Sequence, residues 1–193
     1  MKYVSLGSSC GVTTFLQSAK LKGPNCPFDW ALTSPQFVLE MTKLALSPLP
    51  SEEIIKHHFF TGWYGHDGGT HVTKPSGSFA NTEHRAIFPH EDHKTHEETI
   101  EAYIRRMERF RILIQDSDVT FIWAPPGGTP IFDGRPIVQD LSPLKELRFL
   151  LKGQVHVFCD TDFENVHQIV PSDNYGGIAS QISRITNNGQ AFP

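Results

Sequence analysis

The order of apolar and polar positions divides this chain into short strands and amphipathic helices. Tyr3 to Leu6 is an apolar run of strand length, and Gly7-Ser8-Ser9 is a tight turn of small residues. Val12, Phe15, Leu16 and Ala19 then recur at helical spacing, so Cys10 falls where a strand ends and a helix begins. Ser34-Pro35 supplies a cap and a first-turn proline for a helix whose buried face is Phe37, Val38, Met41, Leu44 and Ala45; Pro48 to Pro50 stops it. Ser51 opens a short helix running to about Phe59. Thr61 to Ser78, rich in Gly, His and aromatics, reads as long loops or a hairpin. Arg85 to Phe88 is a strand halted by Pro89.

The second half is more regular. Thr95-His-Glu-Glu98 is a capping box, and Ile100, Tyr103, Ile104, Met107, Phe110, Leu113 and Ile114 form the apolar stripe of a helix from about Thr95 to Gln115. Val119 to Ala124 is a strongly hydrophobic strand that enters the Pro125–Pro130 loop. Ser142-Pro143 again reads as cap and proline, ahead of a helix with Leu144, Leu147, Phe149, Leu150 and Leu151. Gln154 to Cys159 is the next strand, Val166 to Val170 a candidate strand, and Ile178 to Ile185 a last helix. This alternation predicts an α/β fold: one domain over residues 1–193, a three-layer sandwich with a mainly parallel central sheet. Right-handed crossovers would set the ends of the strands at Leu6, Ala124 and Cys159 along one rim. Cys10, the Pro125–Pro130 loop and Asp160 would share that rim, where ligands of such sheets bind.

Composition narrows the function classes. A net charge of −4 gives no basic footprint for nucleic acid or an anionic membrane. The three cysteines, Cys10, Cys26 and Cys159, are too few and odd in number for a secreted disulfide scaffold, so a reducing, cytoplasmic setting is expected. No signal peptide or membrane span is visible. The glycines fit neither a Walker loop nor a dinucleotide fingerprint, and no cofactor is expected. His90, His93 and His96 recur every third residue, but they lie on a connection ahead of a helix, and no metal is expected there. Arg105, Arg106, Arg109 and Arg111 suit the carboxyl half of their helix and read as a solvated, salt-bridged face, the alternative being an anionic ligand on the Arg-Arg pair.

Candidate chemistry centres on Cys10. A thiolate at a helix N-terminus is stabilised by the macrodipole and by unpaired N–H groups, which predicts a lowered pKa. The N–H groups around Ser9 to Gly11 could hold the oxyanion of an acyl-transfer intermediate. The plain alternative is a small buried hydrophobe at a packed turn. Asp29, between Phe28 and Trp30 on a loop constrained by Gly23, Pro24 and Pro27, is a carboxylate in an apolar wall; it would either serve the site or cap backbone N–H groups. His90 stands apart from its neighbours because it follows a strand end, where a side chain is held rigidly.

Val4 to Cys10 (Val-Ser-Leu-Gly-Ser-Ser-Cys), Pro27-Phe-Asp-Trp30, Phe88-Pro-His90-Glu and Tyr103 to Phe110 together resemble a family of uncharacterised papain-like cysteine peptidases. The resemblance implies that Cys10 is the nucleophile and His90 its base, with Asp29 or Asp92 orienting the imidazole, Ser8, Ser9 and Gly11 at the oxyanion, and Trp30 beside the substrate. A peptide, an ester or a glycan-linked compound would be the substrate, with neither nucleic acid nor a membrane as partner. Two features depart from well-studied papain-type enzymes: no Gln precedes the cysteine at oxyanion-hole distance, and no Trp follows it. A looser likeness is to SGNH-type esterases, with Ser8 or Ser9 as nucleophile and Glu164-Asn-Val-His167 as the acid and base; the Asp expected after Gly7 is missing. The reading from another class is a non-catalytic glycan- or peptide-binding module.

Overall fold

The computed structural model describes residues 2–7, 10–65, 70–71, 77–91, 95–125, 131–132, 135–137, 140–159 and 166–168. In chain order the elements are β1 (Lys2–Ser5), α1 (Cys10–Ser18), β2 (Leu32–Thr33), α2 (Pro35–Leu46), α3 (Ser51–Ile54), a π-helical turn (Ile55–Phe59), β3 (Gly62–Gly65), β4 (Thr70–His71), β5 (Gly77–Asn81) and β6 (Ala86–Phe88). A 3₁₀ turn (Pro89–Glu91), α4 (His96–Leu113), β7 (Val119–Trp123), β8 (Ile131–Phe132), β9 (Arg135–Pro136), α5 (Ser142–Leu150), β10 (Gln154–Cys159) and β11 (Val166–Gln168) follow. The expected helix at Ile178 to Ile185 lies outside the described residues.

Two larger sheets carry the fold, beside a two-stranded pair of β8 and β9. The first is parallel, in the order β1-β7-β10-β11. Lys2 pairs with Val119 and Ser5 with Ile122, while Gln154 pairs with Thr120 on the other side of β7. All five residues of β7 are buried, as a central strand covered on both faces requires. Alternation sends its side chains two ways. Ile122 and Ala124 meet Val12 and Leu16 of α1, whereas Phe121 and Trp123 join the main core with residues of α2, α4 and α5. The second sheet is antiparallel, in the order β2-β6-β5-β3-β4. The chain is thus α/β as expected, but the sequence reading did not anticipate an antiparallel sheet of five strands. Its strands are short and interrupted by turns, so no single window of sequence shows sustained alternation. Between the sheets' elements lies an aromatic cluster: Phe28 meets Phe37, Phe59 and Phe110 at ring-centroid distances of 6.0, 6.3 and 5.1 Å.

The starts of α2 and α4 follow the local rules, and that of α5 does not. The Ser34 side chain accepts from the Phe37 N–H at 3.0 Å and caps α2. Thr95 and Glu98 complete a reciprocal capping box on α4. Ser142, expected to cap α5, is instead its first residue; Asp140 accepts from the Ser142 N–H at 2.8 Å and from its hydroxyl at 2.5 Å. A carboxylate two residues upstream outcompetes the serine for the end of that helix.

The arginines of α4 also differ from expectation. Arg106 is buried with its guanidinium 4.4 Å from the Tyr103 ring centroid. Arg111 donates to the Ser47 and Leu49 carbonyls, and Arg109 donates from Nε and Nη2 to the Asn25 carbonyl at 3.1 and 2.6 Å. Only Arg105, 3.9 Å from Glu101, lies on a salt-bridged outer face. Arg109 and Arg111 hold carbonyl groups in the loop before Asp29 and at the end of α2, because their planar forks satisfy backbone oxygens that no helix or strand pairs.

Candidate active site

The carboxyl end of β1 leads directly into the site. Leu6 still donates to the Ile122 carbonyl at 2.8 Å, and the chain then turns at Gly7, whose φ is +82°. A Cβ at this position would sit 2.5 Å from Thr33 Oγ1 and 3.2 Å from Phe28, so only glycine lets β1 pass this close to the Phe28 loop and β2. Cys10 opens α1, partly exposed and with a free thiol. Gly11, next in the first turn, is buried.

His90 arrives from the other sheet. β6 is buried along its whole length and paired on both sides, to β5 and β2, before Pro89 turns the chain. The exposed His90 side chain reaches across to Cys10, with Nε2 at 3.3 Å from Sγ. Two residues distant by eighty positions in sequence therefore meet. Trp30 stands behind the imidazole, edge-on, with ring centroids 5.7 Å apart. Its backbone is left-handed, φ 64°, a conformation that costs a bulky residue about 1 kcal/mol or more.

What holds Trp30 there is its neighbour. Asp29 is buried and both its carboxylate oxygens are used. Oδ1 accepts from the Thr13 hydroxyl at 3.0 Å; Oδ2 accepts from Lys22 Nζ at 2.8 Å and from the Cys26 N–H at 2.7 Å. Lys22 also donates to Asn25 Oδ1 and the Gly23 carbonyl, so its three N–H donors all have acceptors. Thr13 lies on α1, one turn beyond Cys10. Asp29 thus ties the cysteine's helix to the loop that carries Trp30, and its contacts among the described residues are Thr13, Lys22 and Cys26.

The cysteine's electrostatics differ from the sequence expectation. Burial pushes the Cys10 thiol up from its ordinary pKa, and its own backbone N–H offsets this only in part. Desolvation of the half-buried sulfur raises the pKa by more than that N–H lowers it. Cys26, deeper and beside Asp29, is pushed up to about 12 by burial first and by the carboxylate second.

Of the residues singled out from sequence, Cys10, Gly11, Trp30 and His90 come together, and Asp29 lies behind them. Ser8, Ser9 and Asp92, the Pro126–Pro130 stretch and Asp160 lie outside the described residues. The esterase alternative depends on Ser8 or Ser9 and on the His167 side chain, which are likewise outside them. Sequence reasoning missed Thr13 and Lys22. Lys22, placed just before Gly23-Pro24, was a recognisable loop cation; nothing in the sequence marks Thr13.

A thiol and an imidazole in contact, the thiol at the carboxyl end of a parallel strand, make this an α/β protein with a cysteine–histidine pair. The chain belongs to the family described as "Putative papain-like cysteine peptidase (DUF1796)", whose model matches residues 1–125. That stretch contains Cys10, Asp29, Trp30 and His90. No curated protein and no solved structure matches the chain.

Proposed function

We propose that the protein is a cysteine-dependent hydrolase that forms an acyl-enzyme through Cys10, with His90 as its base. The observation that carries this reading is the 3.3 Å approach of His90 Nε2 to Cys10 Sγ, within the range for proton transfer. Because burial favours the neutral thiol, the proton to be moved rests on Cys10 Sγ. Nε2 then accepts the Sγ proton as sulfur attacks an amide or ester carbonyl. The Cys10 N–H, at the positive end of α1, faces the developing oxyanion. The imidazolium returns its proton to the leaving amine or alcohol, giving a thioester on Cys10. A water deprotonated by His90 attacks that thioester, releasing a carboxylic acid and restoring the thiol. Trp30 acts as a positioning residue, fixing the imidazole by its ring, and Asp29 acts through Thr13 and the loop rather than on the imidazole itself. A free nucleophilic thiol suits a reducing compartment such as the cytoplasm.

The test is alkylation by iodoacetamide with site mapping, together with turnover of p-nitrophenyl acetate. Cys10 should label faster than Cys26 and Cys159, and His90→Ala should slow that labelling and turnover by about a hundredfold. Cys10→Ala should abolish turnover with the fold intact. Turnover that survives Cys10→Ala ends the proposal, and loss with His167→Ala but not with His90→Ala moves the function to the esterase alternative. A fixed Cys10–His90 contact with no labelling difference would instead favour the binding module.

A further inference from the structure

A second concavity lies away from the cysteine–histidine pair. It is a groove of about 410 Å³ between the start of β1, the loop Leu21 to Cys26 and the last turns of α4. Neither Cys10 nor His90 lines it. Its walls are apolar: Tyr3, Val4, Leu21, Pro24, Ile112 and Leu113. Three cationic side chains, Lys2, Lys22 and Arg109, complete the described lining, and no acidic side chain is among them.

The three cations are not equivalent. Lys2 is paired with Asp116 at 2.8 Å, and Lys22 is paired with Asp29 at 2.8 Å with its other donors on Gly23 and Asn25. Arg109 has no carboxylate partner among the described residues. Among the described residues its acceptor is the Asn25 carbonyl, which takes Nε and one Nη2 hydrogen and leaves three of five N–H groups without a described partner. A partly buried guanidinium whose charge no described carboxylate compensates, at the wall of an apolar groove of small-molecule size, is matched by an anion on an apolar body. Nearby Ile112, 72% exposed, leaves apolar surface at the mouth that such a body would cover.

From this we infer that the groove is a binding site for an amphipathic carboxylate, its head on Arg109 and its apolar tail along Val4, Leu21 and Leu113. Lys22 belongs both to the groove and to the Asp29 ion pair, so occupancy is felt one contact away from the loop that carries Trp30.

The probe is decanoate, titrated into the full chain by calorimetry, with decanol and acetate as the uncharged and the tail-less comparisons. One saturable site is expected for decanoate, with decanol at least about tenfold weaker and acetate giving no measurable binding. Arg109 also holds the Asn25 loop, so the decisive variants are at the exposed Ile112. Ile112→Glu should weaken decanoate at least several-fold by placing a like charge at the mouth, and Ile112→Lys should not. Equal binding of decanoate and decanol, an affinity unchanged by Ile112→Glu, or no saturable site would each overturn the inference. Cys10→Ala should bind decanoate like the native chain, which separates this test from that of the hydrolase.

Discussion

The Lys22–Asp29 pair allows a quantitative test of how the site is held. The side chains are 10% and 3% exposed, so neither charge is fully hydrated. Asp29→Asn removes the charge and keeps the shape. Turned with its oxygen toward Lys22 and the Cys26 N–H, the amide can donate to the Thr13 hydroxyl, so the hydrogen bonds survive and the missing quantity is the anion. Leaving a buried ammonium without its counter-charge costs about 3–5 kcal/mol. Lys22 keeps the acceptors on Gly23 and Asn25, which places the expected cost at the lower end, about 3 kcal/mol. For a domain stable by about 5–15 kcal/mol, the variant still folds. Lys22→Met should cost a similar amount by stranding the carboxylate. In the double variant no charge is stranded, so the two costs should not add; a coupling of at least about 2 kcal/mol is expected. Urea unfolding at pH 7, followed by tryptophan fluorescence, measures each variant; with a slope near 2 kcal/mol per M, Asp29→Asn should lower the midpoint by about 1.5 M. Sodium chloride at 1 M should change the coupling little, because buried charges are poorly screened. A cost below about 1 kcal/mol for Asp29→Asn, or single-variant costs that simply add, would refute the reasoning.

Two further outcomes follow from the same region. Gly7→Ala forces a side chain into a positive φ and onto Thr33 Oγ1, so thermal unfolding should show a loss of about 2 kcal/mol or more and Cys10 alkylation should slow. Gly23→Ala, where a Cβ meets open space, should be near neutral, and equal effects at both glycines would contradict the close approach at Gly7. Cys26 stays protonated in the fold up to about pH 12, whereas an unfolded thiol ionises near 8.5. Its contribution is therefore complete below about pH 8.5 and is lost above it, by roughly 1.4 kcal/mol per pH unit, as the unfolded chain releases a proton that the fold keeps. The stability difference between the native chain and Cys26→Ala, followed by urea unfolding from pH 7 to 10.5, should shrink accordingly; a constant difference would show that the thiol is not sealed.

The parts of the fold legible in sequence are those set by local rules. Thr95 and Glu98 cap α4 because both halves of the box lie within four residues, and Ser34 caps α2 for the same reason. Cys10 could be placed at a strand–helix junction from the apolar run before it and the periodicity after it. The Cys10–His90 pairing entered through a family resemblance; spacing alone does not bring together residues eighty positions apart. What stayed hidden depends on long-range partners. Asp29 meets Thr13 sixteen residues earlier and Lys22 seven earlier, but across a loop, so no helix or strand periodicity relates them. Arg109 and Arg111 looked like part of a solvated face because their acceptors are carbonyls, which no sequence displays. The expected drop in the Cys10 pKa failed because helix polarity is visible in a sequence and the depth of burial is not.

The rim of the parallel sheet has one more consequence. β1 is its edge strand, and on its open side Tyr3 is met by a parallel bridge from Lys22, whose side chain is anchored on Asp29. A bare edge is a template on which another chain can add a strand. Here that template is blocked by the chain's own loop, held by the Lys22–Asp29 ion pair and by the Arg109 bonds to Asn25 rather than by a ladder of strand hydrogen bonds. Loosening Lys22 would therefore uncover a surface that recruits further copies, so self-association at high concentration would accompany the lost stability.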